Sequence, residues 1–385
     1  MNHVNLDEPE LRFPAFSDNW SQKQMKDICV VSQGLQIPIS ERFTENDEGR
    51  YFYITNEFLK ENTEKEYYIE NPPKSVICTE KDVLMTRTGN TGKVITNVNG
   101  VFHNNFFKID YDDSIIDKDF LCYFLNNFNT QKTIMRLAGT STIPDLNHKD
   151  FYSIKINFPS LLEQRKISDF LIKIDKKIEL LEKKLVLHRN FNESLKVKIF
   201  SNINSKNIKL KTFLKESKIP HEDDINKRLT VKLNLKGITK REIKANEKEG
   251  ATTQYLRKEG QFIYGKQNLH KGAFGIIPKE LDGYLSSNDI PSFDFTNELI
   301  NPFWFYYYFS RKSFYENLER FSSGTGSKRI SPKDFLNIKI PIKDLEQQNQ
   351  DADLLKKLNN KENIMKKEIC SFNDFKKALL QKMFV

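Results

Sequence analysis

Cysteine, histidine and long apolar runs are all scarce in this chain. Its 385 residues include four cysteines, Cys29, Cys78, Cys122 and Cys370, with no CxxC pair and no histidine at ligand spacing. That scatter excludes a disulfide-framed domain and a cysteine zinc site, and leaves reduced thiols. His103, His148, His188, His221 and His270 form neither a triad nor a ligand set, so no catalytic residue and no metal site are expected. There is no apolar run long enough for a spanning helix. The opening MNHVNLDE has neither a basic start nor an apolar stretch, and the expected location is the cytoplasm. Residues 161–200 lack both glycine and proline, which permits one unbroken helix.

What is present is charge. The net charge is +9, a modest excess whose sign favours a polyanion or an acidic partner. The length predicts two domains rather than one core.

The stretch LMTRTGNTGKV at 84–94 has the look of a phosphate loop. A Walker loop needs four residues between its glycines and a hydroxyl after the lysine. Here two residues separate Gly89 from Gly92, and Val94 follows Lys93. The remaining readings are a glycine-rich turn leaving a buried strand at 83–85, or a polar turn that offers Arg87, Thr88, Asn90, Thr91 and Lys93 to an anionic partner. Other enzyme signatures fail as well. Asn71-Pro72-Pro73 is followed by Lys74, where an amino-methyltransferase places an aromatic ring to stack a flipped base. No glycine-rich cofactor loop precedes it. Pro144-Asp145 with Glu182 and Lys184 matches a nuclease pattern only on paper, because the last two fall on the long helix.

The chain repeats itself. KDFYSIKI at 149–156 and KDFLNIKI at 333–340 agree at six of eight positions, 184 residues apart. Phe191, Leu195 and Phe200 match Phe375, Leu379 and Phe384 at the same offset. Leu162-Glu163-Gln164 lies over Leu345-Glu346-Gln347, and 120–124 over 303–307, both at an offset of 183. The block at 83–88 corresponds to 262–267. The aromatic run 303–309 reads as a helix packed on a sheet, with a stacking platform for unpaired bases as the alternative.

Each repeat ends in a helical stripe. Ile167, Leu171, Ile174, Ile178, Leu181 and Leu185 step by four and three, with His188 next in phase. The second stripe is Leu358, Met365, Ile369, Phe372, Leu379 and Met383, with Glu362 and Lys376 in its polar gaps. A helix of about 40 residues is about 60 Å long and cannot bury its stripe on one small domain. The two are expected to pack antiparallel. The predicted fold is therefore α/β (α+β): two homologous globular domains separated by two long helices in an antiparallel coiled coil. The expected divisions are 1–159, 160–201, 202–343 and 344–385.

A rod between two similar domains acts as a ruler, and DNA, with a turn of about 34 Å, suits it. The polar turns are the divergent part. Arg87, Thr88, Asn90, Thr91 and Lys93 face Lys266, Gln267, Asn268, His270 and Lys271 in the second copy. A second pair of polar loops carries Thr140, Ser141 and Thr142, and Thr325, Ser327, Lys328 and Arg329. These side-chain types reach base edges and phosphates.

PELRFPAFSDNW at 9–20, KDVLMTRTGNTGKV at 81–94, the junction at 150–184 and GQFIYGKQNLHKGAFGI at 260–276 resemble the specificity subunit of type I restriction–modification systems. The resemblance covers essentially the whole chain. It implies two target recognition domains, each reading half of a bipartite, asymmetric site on double-stranded DNA, and a coiled coil that sets the spacer. It also implies two methyltransferase subunits and two restriction subunits as partners. S-adenosylmethionine, ATP and Mg²⁺ are expected on those partners and no cofactor on this chain. The second junction departs from the family pattern, reading PIKDLEQQNQD where a proline-rich run is common. Two other readings stay open at this stage: a stand-alone DNA methyltransferase or nuclease, and a protein–protein scaffold.

Overall fold

The computed structural model describes residues 8–60, 65–201, 203, 205–243, 249–250, 252–322 and 328–385. Its α-helices are α1 (Lys118–Asn126), α2 (Phe128–Leu137), α3 (His148–Tyr152), α4 (Leu161–Ser201), α5 (Pro302–Phe309), α6 (Lys312–Glu316), α7 (Pro332–Asn337) and α8 (Leu345–Met383). Among the described residues no helix is long and apolar enough to cross a membrane. The chain divides into two compact units, Met1–Leu181 with Glu368–Val385, and Glu182–Lys367. Both long helices, α4 and α8, give one part to each unit.

In the first unit, four antiparallel strands lie in the order Cys29–Gln33, Phe106–Tyr111, Val83–Thr86, Val94–Ile95. Successive side chains on a strand point to opposite faces. Val83, Met85, Phe107 and Ile109 accordingly join α1, α2 and α3 in one core, with Phe120, Phe124, Ile134 and Phe151. Leu84 and Phe106 face the other way, into a core with Tyr53, Ile54, Val101 and Phe102. Burial on both faces is why 83–85 is apolar without alternation. That second core belongs to a sheet ordered Tyr68–Glu70, Arg50–Ile54, Gly100–Phe102, Ile77–Cys78, whose middle pair is parallel. Gly100 is required there, because a Cβ would sit 2.4 Å from the Phe52 carbonyl oxygen.

The second unit repeats the first sheet. Leu214–Ser217, Ser292–Phe295, Phe262–Tyr264 and Phe274–Ile276 lie in the same order and sense. Phe262, Tyr264, Phe274 and Phe293 pack against Trp304, Phe305, Phe309 and Phe335. The aromatic run is thus mostly helix core. Both units also carry a short antiparallel pair in which the repeated motif ends, Ser21–Gln24 with Lys155–Phe158, and Asn207–Lys209 with Lys339–Pro341. The second sheet recurs in looser form. In the second unit a three-stranded sheet, Pro220–His221, Gln254–Leu256, Leu285–Ser287, is joined by a parallel bridge from Arg228 to Leu285 to the hairpin of Leu229–Val231 with Ile238–Lys240.

The structure corrects the offset of 183 to 184 at two places. Phe120, fully buried, corresponds to fully buried Trp304, whereas Phe303 is 42% exposed. The caps agree: Asp117 accepts from the Phe120 amide, and Asn301 accepts from the Phe303 and Trp304 amides. Gln164 corresponds to Gln348, not Gln347. Gln164 Nε2 donates to the carbonyls of Ile115 and Pro159 at 2.9 Å each, and its Oε1 accepts from the Asp117 amide at 2.8 Å. Gln348 Nε2 donates to the carbonyls of Leu299 and Lys343 at 2.9 and 2.8 Å, and its Oε1 accepts from the Asn301 amide at 2.8 Å. One buried amide therefore fastens the first turn of each long helix to the cap of the helix beside it.

In the first unit, Ile167, Leu171, Ile174 and Ile178 of α4 share a core with Phe372, Leu379, Met383 and Phe384 of the α8 segment. Asp175 pairs with Lys376 at 2.5 Å. In the second unit, His188 Nε2 lies 3.0 Å from the Leu358 carbonyl, and Arg189 pairs with Glu362 at 3.0 Å. Early α4 residues meet late α8 residues in one unit, and late meet early in the other, so the helices run antiparallel in both. Leu181, Leu185 and Met365 are buried, and Leu358, Ile369 and Phe372 half-buried. Ala352 and Leu355, not expected from the sequence, are also buried. Each unit is closed by the end of the long helix from the other repeat: Phe384 against Phe120, and Phe200 against Trp304.

Candidate nucleic-acid interface

The first polar turn joins Val83–Thr86 to Val94–Ile95. Thr86 organises it, its hydroxyl donating to the Asn90 carbonyl at 2.5 Å and accepting from the Lys93 amide at 2.9 Å. Gly89 and Gly92 have φ of +70° and +89°, values that favour glycine. The Gly92 carbonyl accepts from Gln131 Nε2 at 2.8 Å. The backbone is therefore pinned from inside while Asn90 and Lys93 stay exposed. Asn56, missed by sequence reasoning, supports the turn with a 3.1 Å bond to the Thr88 carbonyl.

Thr140, Ser141 and Thr142 are exposed on a loop that the structure brings to this turn. Thr91 donates to the Pro144 carbonyl at 2.7 Å, Thr88 bridges Asp145, and the Leu146 amide donates to the Arg87 carbonyl at 2.9 Å. Arg87 Nη2 meets Asp145 Oδ2 at 2.6 Å. Thr91 is thus turned inward and Arg87 is held by a carboxylate.

In the second unit the turn joins Phe262–Tyr264 to Phe274–Ile276 and contains a short 3₁₀ turn, Leu269–Lys271. Asn268 is half-buried, and its carbonyl takes the amides of Lys271 and Ala273. Gln267 and Lys271 are exposed. Burial lowers the pKa of the Lys266 ammonium, opposed chiefly by Asp289, and burial likewise lowers His270. Lys328 Nζ pairs with Glu319 at 2.6 Å, and Arg329 with Asp289 at 3.2 Å. The hydrogen bond from Lys328 holds Glu319 below its ordinary pKa. Thr325 and Ser327 lie outside the described residues.

The two turns are tied in the same way. The Arg87 amide donates to the Asn105 carbonyl, and the Lys266 amide donates to the Asp289 carbonyl. The Arg87 carbonyl accepts from Leu146, and the Lys266 carbonyl accepts from Ile330. Equivalent backbones therefore present different side chains. Arg257, only 1% exposed, is a second residue the sequence did not flag. Its guanidinium donates to the hydroxyls of Ser286 and Ser292 and to the carbonyls of Ser217 and Ile290, fixing the loop that carries Asp289.

A family model, the type I restriction modification DNA specificity domain, matches the chain twice, at residues 17–187 and 200–371. The MjaVIII type I restriction enzyme specificity subunit of Methanocaldococcus jannaschii is 23% identical, over 96% of this chain and 92% of its own length. The solved S subunit of a type I restriction–modification system from M. genitalium has a TM-score of 0.64 at 17% identity, over 98% of this chain and 99% of that one. A chain from a structure concerned with complex assembly and conformational transition of the type I R-M system gives 0.55 at 14%, over 94% and 97%. These two structures speak for the fold. The twofold match, spanning nearly the whole chain, carries the assignment: the protein belongs to the type I restriction modification DNA specificity family.

Proposed function

We propose that the two turn-and-loop pairs are the DNA-reading surfaces of a sequence-recognition subunit, one for each half of a bipartite, asymmetric site. Arg87, Thr88, Asn90, Lys93, Thr140, Ser141 and Thr142 form the first surface, with Thr91 as its internal brace. Lys266, Gln267, Asn268, His270, Lys271, Lys328 and Arg329 form the second, with Thr325 and Ser327 in its loop. The observation that supports this is the shared tie: one backbone scaffold, used twice, carrying two sets of base- and phosphate-binding side chains. The chain itself does no chemistry in this reading. Two methyltransferase and two restriction subunits supply S-adenosylmethionine, ATP and Mg²⁺ chemistry, and the paired long helices set the spacer and dock the methyltransferase.

Lys93 gives the test. It is exposed, and its ammonium has no ion-pair partner among the described residues. Lys93→Ala in the assembled methyltransferase complex is expected to weaken duplex binding by about threefold on every sequence, and to flatten the log-affinity against log-salt slope by about 0.9. Anisotropy titrations between 50 and 200 mM salt, about the range over which such slopes are read, measure both. An unchanged slope and affinity would remove the first turn from the interface.

A further inference from the structure

Three of the basic side chains on the reading surfaces are already occupied by carboxylates: Arg87 by Asp145, Arg329 by Asp289 and Lys328 by Glu319. The pairing recurs at one place in the fold with its polarity reversed. Asp145 precedes Leu146, whose amide ties down the first turn, and Arg329 precedes Ile330, whose amide ties down the second. The same loop position thus carries an acid in one unit and a base in the other. The opposite charge comes from the turn itself in the first unit, and from Asp289, equivalent to Asn105, in the second. Both readers keep the pair although neither keeps its residues.

Stability does not account for these pairs. The carboxylates are 48%, 57% and 46% exposed, and ion pairs open to solvent contribute little to stability. Arg87 is more constrained than a surface arginine, since its Nε is buried without a partner among the described residues and Asp145 takes its Nη2. A cation held in this way cannot swing freely to the nearest phosphate. The carboxylate beside it also repels the backbone of any duplex that does not repay its displacement with base contacts.

We propose that Asp145, Asp289 and Glu319 are specificity-determining residues that occupy Arg87, Arg329 and Lys328 and so suppress phosphate binding at non-target sequences. The inference rests on the reading surfaces proposed above. Removing Asp145 makes the Arg87 cation available to one more phosphate, and removing Asp289 or Glu319 takes a negative charge from beside Arg329 or Lys328, each of which strengthens binding that carries no sequence information.

The test uses the full chain with its methyltransferase partner and a random-sequence duplex library. D145N is expected to raise affinity for the unselected library about 3- to 10-fold and to steepen the salt slope by about 0.9. Sequencing of the bound pool is expected to show weaker base preference in one half of the two-part motif only. D289N and E319Q are expected to do the same in the other half. D145E, which restores the charge, is expected to return the slope toward that of the native chain. If D145N left slope and preference unchanged, or weakened binding to all duplexes with an unaltered melting temperature, the inference would be overturned. Lys93→Ala separates the two levels: a clear effect of that variant beside a silent D145N sinks this inference alone, whereas silence in both removes the reading surface beneath it.

Discussion

Gln348→Leu is expected to destabilise the second unit by about 3–5 kcal/mol, because it removes all three hydrogen bonds of a buried amide and leaves their partners unpaired. The Gln348 side chain is fully buried and makes three hydrogen bonds, to the carbonyls of Leu299 and Lys343 and from the amide of Asn301. Leucine fills the space but neither donates nor accepts. Each orphaned group then carries a desolvation cost of about 1–3 kcal/mol. Domain stabilities run to about 5–15 kcal/mol in total. The damage is directional, since Asn301 caps α5 and Trp304 of α5 anchors the core. The two tryptophans make it readable, Trp20 in the first unit and Trp304 in the second. In a Trp20→Phe background, fluorescence-monitored urea unfolding reports the second unit, whose midpoint is expected to fall sharply. Gln164→Leu followed through Trp20 is expected to mirror it in the first unit. A shift under 1 kcal/mol in both, well below the cost of even one orphaned buried group, would show that the amide is not the fastening the geometry describes.

That same glutamine shows how far the sequence could be read. The repeat was legible because the frame is apolar and stiff: the motif at 149–156 and its copy at 333–340 each run from a short helix into a strand in both units. The register near α8 was not, because LEQQNQ places two adjacent glutamines at 347–348 and composition cannot say which one turns inward. The identity Leu-Glu-Gln pulled the match to Gln347. The same slip put Phe303 over Phe120, since a run of seven aromatics offers no alternation by which to find the buried face. The early part of α8 was read thinly because its packing rests on Ala352, Leu355 and Gln348, only one of them a large apolar residue. The second sheets, at 50–102 and 220–287, were not legible as a repeat, because their strands run to between two and five residues, too short for periodicity to speak. The turns of the candidate site were visible as glycine-marked breaks between apolar strands. Their carboxylate partners were not, because Asp145 and Asp289 approach from 58 and 40 residues away along the chain, and no local spacing encodes an ion pair of that reach.

Lengthening the long helices tests the reading at the level of the whole site. One heptad inserted into each, after Lys183 in α4 and after Lys367 in α8, preserves the alternating steps of four and three on both seams. It adds seven residues per helix, about 10.5 Å of rise, which corresponds to about three base pairs. If the paired helices set the spacer, the two halves of the recognised motif are expected to move apart by about that much, or modification is expected to be lost where the altered helical phase of the duplex defeats the second reader. A heptad in α4 alone keeps its own stripe in phase but leaves it longer than its antiparallel partner, so Arg189 and Glu362 no longer meet while Asp175 and Lys376 still do. That variant is expected to abolish recognition rather than re-space it. Sequencing the methylated bases in cells carrying each variant with its methyltransferase reads the outcome directly as a gap length. An unchanged gap after both helices are lengthened would mean that the separation of the half-sites is fixed by something other than these helices, and the spacer role would fall while the two reading surfaces stood.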